Sequence, residues 1–395
     1  MAHPPTKHPC PVCSENTMEE FLFLPGVPTH CNLLWESKAQ AQAAPRGDLR
    51  LGFCRACGHV YNLAFDPSLM EYTQAYENSL HFSPRFQAYA DALAARLIDQ
   101  YGVRQKDVID IGCGKGDFLA LLCTKGDNRG YGFDPSFVPG IMEKATAERM
   151  TIIRDFYSPR YAGYQADLVT CRHVLEHIQS PREFVQNVRA SVGGRTSTVV
   201  FFEVPNVMYT LRDMGIWDLI YEHCSYFSAS SLAVLFSSCG FKVQEQTELY
   251  EGQFLGIDVV PGAPAGEALP DVQIRVAEMD RDRLAFAENY RRKVDGWRRF
   301  FDAASGDHKV VVWGGGSKGV MFLNTLRPER GVEYMVDINP RKRGMYVAGT
   351  GQEIVDPEFL REYRPNTVII MNPIYREEIR GHLEGLGVKA EILVA

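Results

Sequence analysis

Across residues 84–101, PRFQAYADALAARLIDQY, apolar side chains recur every three or four positions, the spacing that buries one stripe of a helix. The pattern then changes. Residues 108–111, VIDI, are an almost continuous apolar run closed by glycines at 112, 114 and 116, and a second helical run, DFLALLC, follows. A buried strand, a turn and a helix are expected there. GYGFD, ADLVTCRHVLEHI and VVFFEVPN read as further buried strands of the same sheet. The proline- and glycine-rich stretch VVPGAPAGEALPD (259–271) reads as a linker, and a charged amphipathic helix of about thirty residues is expected after it. Strand–helix alternation then restarts with KVVVWGGGSKGVMFLN, VEYMVD and TVIIMNPIYREEI. The pattern predicts an α/β chain in four parts: a helix-poor segment over 1–70, a doubly wound unit over 71–260, linker and helix over 261–305, and a second α/β unit over 306–395.

Composition narrows the partners. A chain of 395 residues with 45% apolar and 23% charged content is ordinary for globular domains, and its net charge of −7 argues against general nucleic-acid binding, which needs a basic surface. The basic run YRRKVDGWRRF (290–300) is expected to be a solvated helix face. No apolar run reaches membrane-spanning length, and MAHPPTKHPC has no signal-peptide core, so a cytoplasmic location is expected.

Ten cysteines in such a chain suggest metal ligands or buried thiols before disulfides. Cys10 and Cys13 in CPVC, with Cys54 and Cys57 in CRACG, form two hooks separated by 40 residues. Facing hooks make the closed four-sulfur tetrahedron that zinc favours, so a structural zinc is expected. Cys31 and His59 are spare candidates. The remaining cysteines sit singly in apolar or motif contexts and read as small buried side chains.

Gly112, Gly114 and Gly116 let the backbone pass close to a ligand at a helix start, and Asp134 ends the next strand where a carboxylate accepts from ribose hydroxyls. That spacing alone fits a dinucleotide or S-adenosylmethionine. The Asp110-x-Gly-x-Gly-x-Gly order, however, resembles motif I of class I methyltransferases. The resemblance continues in RDFYS, with Asp155 and Phe156 where that family cradles adenine, and in the strands beginning at Asp167 and Val199. His173 follows the fourth strand among the ligand positions, and His177 falls one helical turn beyond it.

KVVVWGGGSKGV holds a Gly-x-Gly-x-x-Gly turn (314–319), with Lys318 placed to meet a phosphate and Asp337 closing the next strand. It fits NAD, the nucleotide of a substrate, or a degenerate scaffold. In order, the cysteine knuckle, the class I core, the segment DLIYEHCSYFS (218–228) and this C-terminal unit resemble the sugar C-methyltransferases of deoxysugar biosynthesis over essentially the whole chain. That resemblance implies S-adenosylmethionine as donor and a nucleotide-linked 4-keto-6-deoxysugar as acceptor, methylated beside its ketone. His223 is then the expected base, Glu222 its orienting partner or substitute, Tyr221 a donor to the enolate oxygen and His177 a further catalytic candidate. Tyr76, Lys318 and Asn372 are expected at the acceptor. The family commonly reads DTIYHEHLSYF where this chain is one residue shorter, and EGQFLGIDV (251–259) also departs from it. The alternatives are an O- or N-methyltransferase on a related small acceptor, or a non-catalytic nucleotide-binding protein.

Overall fold

The structure is a computed structural model that describes residues 8–70, 77, 79–138, 148–262, 272–304, 307–328 and 331–395. Tyr72, Tyr76 and most of the expected linker lie outside these residues.

Three sheets carry the chain. The first has the order β1 (Met18–Pro28), β2 (Arg46–Cys54), β3 (Val60–Asn62), β9 (Ser225–Tyr226), and all its pairings are antiparallel. Its last strand comes from 163 residues later in the chain than β3, because Tyr226 pairs with Val60 and Ser225 with Tyr61. The segment DLIYEHCSYFS is thereby sewn to the cysteine-bearing sheet.

The second sheet begins with β4 (Asp107–Ile111), β5 (Arg129–Phe133), β6 (Met150–Ile153), β7 (Leu168–Arg172) and β8 (Val199–Pro205), all parallel. β10 (Phe241–Leu249) and β11 (Phe254–Pro261) complete the order β10-β11-β8-β7-β4-β5-β6, with β11 antiparallel to β8. The order reverses between β4 and β7, so a crevice opens beyond their carboxyl ends. Helix Pro84–Tyr101 forms because Ser83 caps Phe86 N, Pro84 occupies its first turn and Gly102 (φ 61°) ends it. It buries Phe86, Ala90, Leu93, Ala94, Leu97 and Ile98 in a core shared with Val108 and Phe201.

The third sheet is parallel throughout, in the order β14 (Glu353–Val355), β13 (Val332–Val336), β12 (Val310–Trp313), β15 (Thr367–Ile370), β16 (Glu391–Val394). Helix Val272–Ala303 packs Val276, Met279, Arg283, Phe286, Tyr290 and Val294 inward at steps of three or four. Its basic run is not uniformly solvated. Lys293 donates to the carbonyl of Met214 at 2.9 Å, lies over Trp217, and is lowered from the ordinary lysine pKa by burial and by Lys318. Val259 to Pro261, read as the start of the linker, belong to β11. Among the described residues no helix is long and apolar enough to cross a membrane.

Candidate active site

The four cysteines converge as their spacing predicts. Their sulfurs lie within 4.8 Å of one another, with Cys10–Cys57 at 3.7 Å and Cys13–Cys54 at 3.5 Å. Tetrahedral Zn–S bonds of about 2.3 Å set sulfurs roughly 3.8 Å apart, so the donor set fits zinc with little rearrangement. Gly58 adopts φ +74° and donates to the Cys54 carbonyl at 2.8 Å, the turn that sets the second hook. Arg182 donates to the Val12 carbonyl, and Ser228 Oγ to that of Gly58 at 3.2 Å, which docks the knuckle against the middle sheet. Cys31 and His59 are both buried outside this cluster; the His59 ring packs 4.9 Å from Phe227. The cluster is structural, because four sulfurs leave no open position.

At the end of β4, Gly112, Gly114 and Gly116 all have positive φ (70°, 56° and 84°). A Cβ on Gly112 would lie 2.2 Å from Val174, whereas one on Gly114 would meet no atom within 4 Å. The first glycine permits close packing; the second faces open space of the kind a nucleoside requires. Asp134 accepts from Gly114 N and Ser136 N, each at 2.8 Å, and so holds its carboxylate at the mouth of that space. Buried Asp110 is pushed up to about 6 by burial, against the opposing influence of Thr170, whose hydroxyl donates to it at 2.7 Å. Asp155 turns back on its own loop, accepting from Phe156 N at 2.8 Å and from Tyr161 at 2.6 Å, and leaves the Phe156 ring 65% exposed for stacking. The residues fit S-adenosylmethionine.

The helix expected to carry His173 and His177 on one face is absent. His173 has φ +54° and only a short 3-10 turn, Leu175–His177, follows it. The two rings therefore take separate partners. His173 Nε2 lies 2.7 Å from Glu203 Oε1 and its ring packs 4.5 Å from Phe254. Burial opposes its protonation, but Glu176 and Glu203 more than compensate and hold it up to about 9. Glu203 in turn is fully buried with Arg172 at 2.9 Å and Tyr89, and despite burial these partners hold it down to about 2. Glu203 was not anticipated as a site residue, although a lone carboxylate in the apolar strand VVFFEVP is the signal of a buried charge that needs partners.

His177 instead approaches His223, with ring centroids 4.9 Å apart, and its Nδ1 lies 2.8 Å from the Glu222 carbonyl. Burial, followed by His177, His173 and Lys318, pushes His223 well below the ordinary histidine range. The imidazole is therefore neutral at physiological pH, not poised near it. Glu222 does not point at that ring. Its Oε2 accepts from Cys31 N at 3.0 Å and its Oε1 lies 4.0 Å from His30 Nδ1, so the side chain anchors the cysteine-bearing segment. Tyr221 is likewise elsewhere: fully buried against Gly47 and Phe65, its hydroxyl accepts from Asp66 N at 2.8 Å. The structure brings His223 and His177 together and leaves Glu222 and Tyr221 as supports.

Lys318 does not cradle its own glycine turn. Its ammonium reaches across to Asp218 Oδ2 at 2.7 Å and Gln253 Oε1 at 3.2 Å, over the ring of Tyr209. Asn372 exchanges two hydrogen bonds with Gln253, at 3.0 and 2.8 Å. Gln253 thus joins the middle and C-terminal units in the stretch EGQFLGIDV, where this chain departs from the sugar C-methyltransferase pattern that it resembles. A cavity of about 230 Å³ adjoins this network, lined among others by Tyr209, Trp217, Lys293 and Lys318.

Comparison with known proteins agrees with this geometry. A methyltransferase domain model matches residues 83–246, and a C-methyltransferase C-terminal domain model matches residues 274–392. The C-methyltransferase NovU of Streptomyces niveus is 25% identical over 299 residues, 71% of this chain and 70% of its own length. A ubiquinone biosynthesis O-methyltransferase of Actinobacillus pleuropneumoniae is 30% identical over 115 residues, 27% of this chain and about half (48%) of that relative. A solved calicheamicin-biosynthesis methyltransferase in its SAH-bound form covers 43% of this chain and 54% of its own at 16% identity and TM-score 0.34, too loose a likeness to carry weight. The fold, the glycine cradle and these matches define a class I, S-adenosylmethionine-dependent methyltransferase of a small-molecule acceptor. Within that class the C-terminal segment is similar to C-methyltransferases in particular, by its domain model and by the likeness to NovU.

Proposed function

We propose that the protein transfers a methyl group to carbon, beside the ketone of a nucleotide-linked 4-keto-6-deoxysugar, as a step of deoxysugar biosynthesis. The observation that carries this reading is the neutral His223 beside His177. A carbon acid needs a base held unprotonated and close to the proton it takes. S-adenosylmethionine supplies an electrophilic methyl and leaves as the thioether. His223 takes the proton from the carbon next to the carbonyl, and the enolate carbon so formed makes the new C–C bond. His177, fixed by the Glu222 carbonyl, orients the approach of the ring. Lys318, Gln253 and Asn372 face the acceptor from the C-terminal side and bind the nucleotide-sugar oxygens.

The test is incubation of nucleotide-linked 4-keto-6-deoxysugars with donor carrying a deuterated methyl, followed by fragmentation mass spectrometry. Label on ring carbon is the expected result. Label on oxygen or nitrogen supports the second reading, an O- or N-methyltransferase on a related small acceptor, whose oxygen form the 30% identity over 115 residues to an O-methyltransferase favours.

A further inference from the structure

The proposed base His223 and its neighbours have a second chemical capacity. A carboxylate oxygen of Glu176 and one ring nitrogen each of His177 and His223 lie within 4.8 Å of one another. We propose that these three residues form a divalent transition-metal site, separate from the cysteine knuckle, whose occupation takes the lone pair of His223 out of service.

Three features argue for a site beyond mere proximity. Glu176 is only 2% exposed, and its Oε2 is buried without a hydrogen-bond partner, while Oε1 lies 3.6 Å from His173 Nδ1. A buried carboxylate oxygen without a donor is costly, and a cation satisfies it. His177 Nδ1 faces a carbonyl, which only an N–H can satisfy, so in the neutral ring Nε2 is the nitrogen that offers a lone pair. A carbonyl on the second nitrogen is how metal-binding histidines are oriented. His223 Nδ1 is also shielded from solvent without a partner. Metal bonds of about 2.1 Å place donors roughly 3 to 3.5 Å apart, so each side chain need move by only about 1 Å. Two imidazoles and one carboxylate suit Zn²⁺, Co²⁺, Ni²⁺ or Fe²⁺, not Mg²⁺ or Ca²⁺.

Metal uptake goes beyond the acceptor assignment, while the loss of turnover that follows rests on His223 acting as base. The probe is Co²⁺ added to the 395-residue chain carrying zinc in the cysteine knuckle. One further equivalent should bind with visible d–d absorption and no thiolate charge-transfer band, since the donors are nitrogen and oxygen. Glu176→Gln and His177→Asn should each weaken uptake at least about tenfold; His177 is less buried than Glu176, which makes that variant the safer one to fold, with circular dichroism as its check. In the unmodified protein turnover should fall in step with uptake and return on chelation. Absence of uptake beyond the knuckle, or uptake unchanged in both variants, overturns the site. Uptake is read without any acceptor, so failure of carbon methylation leaves it standing.

Discussion

Two turns in this chain share one plan, apolar strand, glycines, helix and an acid closing the neighbouring strand, yet they end in different states. In the middle unit Gly114 faces open space, and among the described residues Asp134 accepts from the backbone amides of Gly114 and Ser136 and from the Ser136 hydroxyl. In the C-terminal unit Asp337 accepts from Gly315 N and Asn339 N, each at 2.8 Å, and lies 3.6 Å from the buried ammonium of Lys342. That ammonium also donates to the Gly315 carbonyl at 3.1 Å, and a Cβ on Gly316 would come within 3.9 Å of Asn32 from the cysteine-bearing region. Glu77 ties Asn339 and Arg341 to Lys115 on the first turn. The second turn is thus neutralised and covered by the protein itself. A glycine fingerprint shows that the backbone approaches something closely; the neighbouring side chains decide whether that something is a ligand or the rest of the chain.

The largest effect is expected on the scaffold that both turns share. Cys54→Ser should release zinc and cost on the order of several kcal/mol, seen as metal loss and early hydrogen exchange in β1–β3, because site formation and folding are coupled. Next comes the first turn alone. Gly114→Val puts a branched side chain at φ +56° and into the open space, so donor affinity by calorimetry should drop roughly 100-fold or more, while Lys342→Met in the second turn should leave it unchanged. Equal losses in the two variants would break the comparison. His223→Asn should keep donor affinity and lose turnover by roughly 100-fold, the scale for a general base.

Much of this is legible in the sequence. Periodicity placed helix Pro84–Tyr101, and the continuous apolar runs placed the parallel strands, because both report burial directly. The two cysteine hooks were readable since metal geometry fixes spacing within each hook. What remained hidden was set by contacts distant in sequence. Nothing in DLIYEHCSYFS announces that Ser225 and Tyr226 pair with β3, yet that pairing carries the chain across the sheet and leaves Tyr221 on Asp66 and Glu222 on Cys31. Lys318 misled for the same reason. Its glycine context suggested a local phosphate, while its partner, Asp218, is 100 residues away.

The smallest effect concerns the charge set behind the first turn, His173 with Glu203 and Arg172. The native state holds His173 up to about 9, above its ordinary 6.5, so its protonation favours folding. That contribution is fully present below pH 6.5 and is lost as pH rises through 9. Glu203 runs the other way: held down to about 2 from 4.5, it stabilises above pH 4.5 and loses its effect as pH falls through 2. Urea midpoints should therefore decline between pH 6.5 and 9.5 in the unmodified protein, and the decline should shrink in His173→Gln, which keeps a hydrogen-bond donor without a titrating ring. An identical pH profile in the variant would mean that Arg172 alone neutralises Glu203. His173 would then be held in its left-handed backbone by packing against Phe254, not by charge.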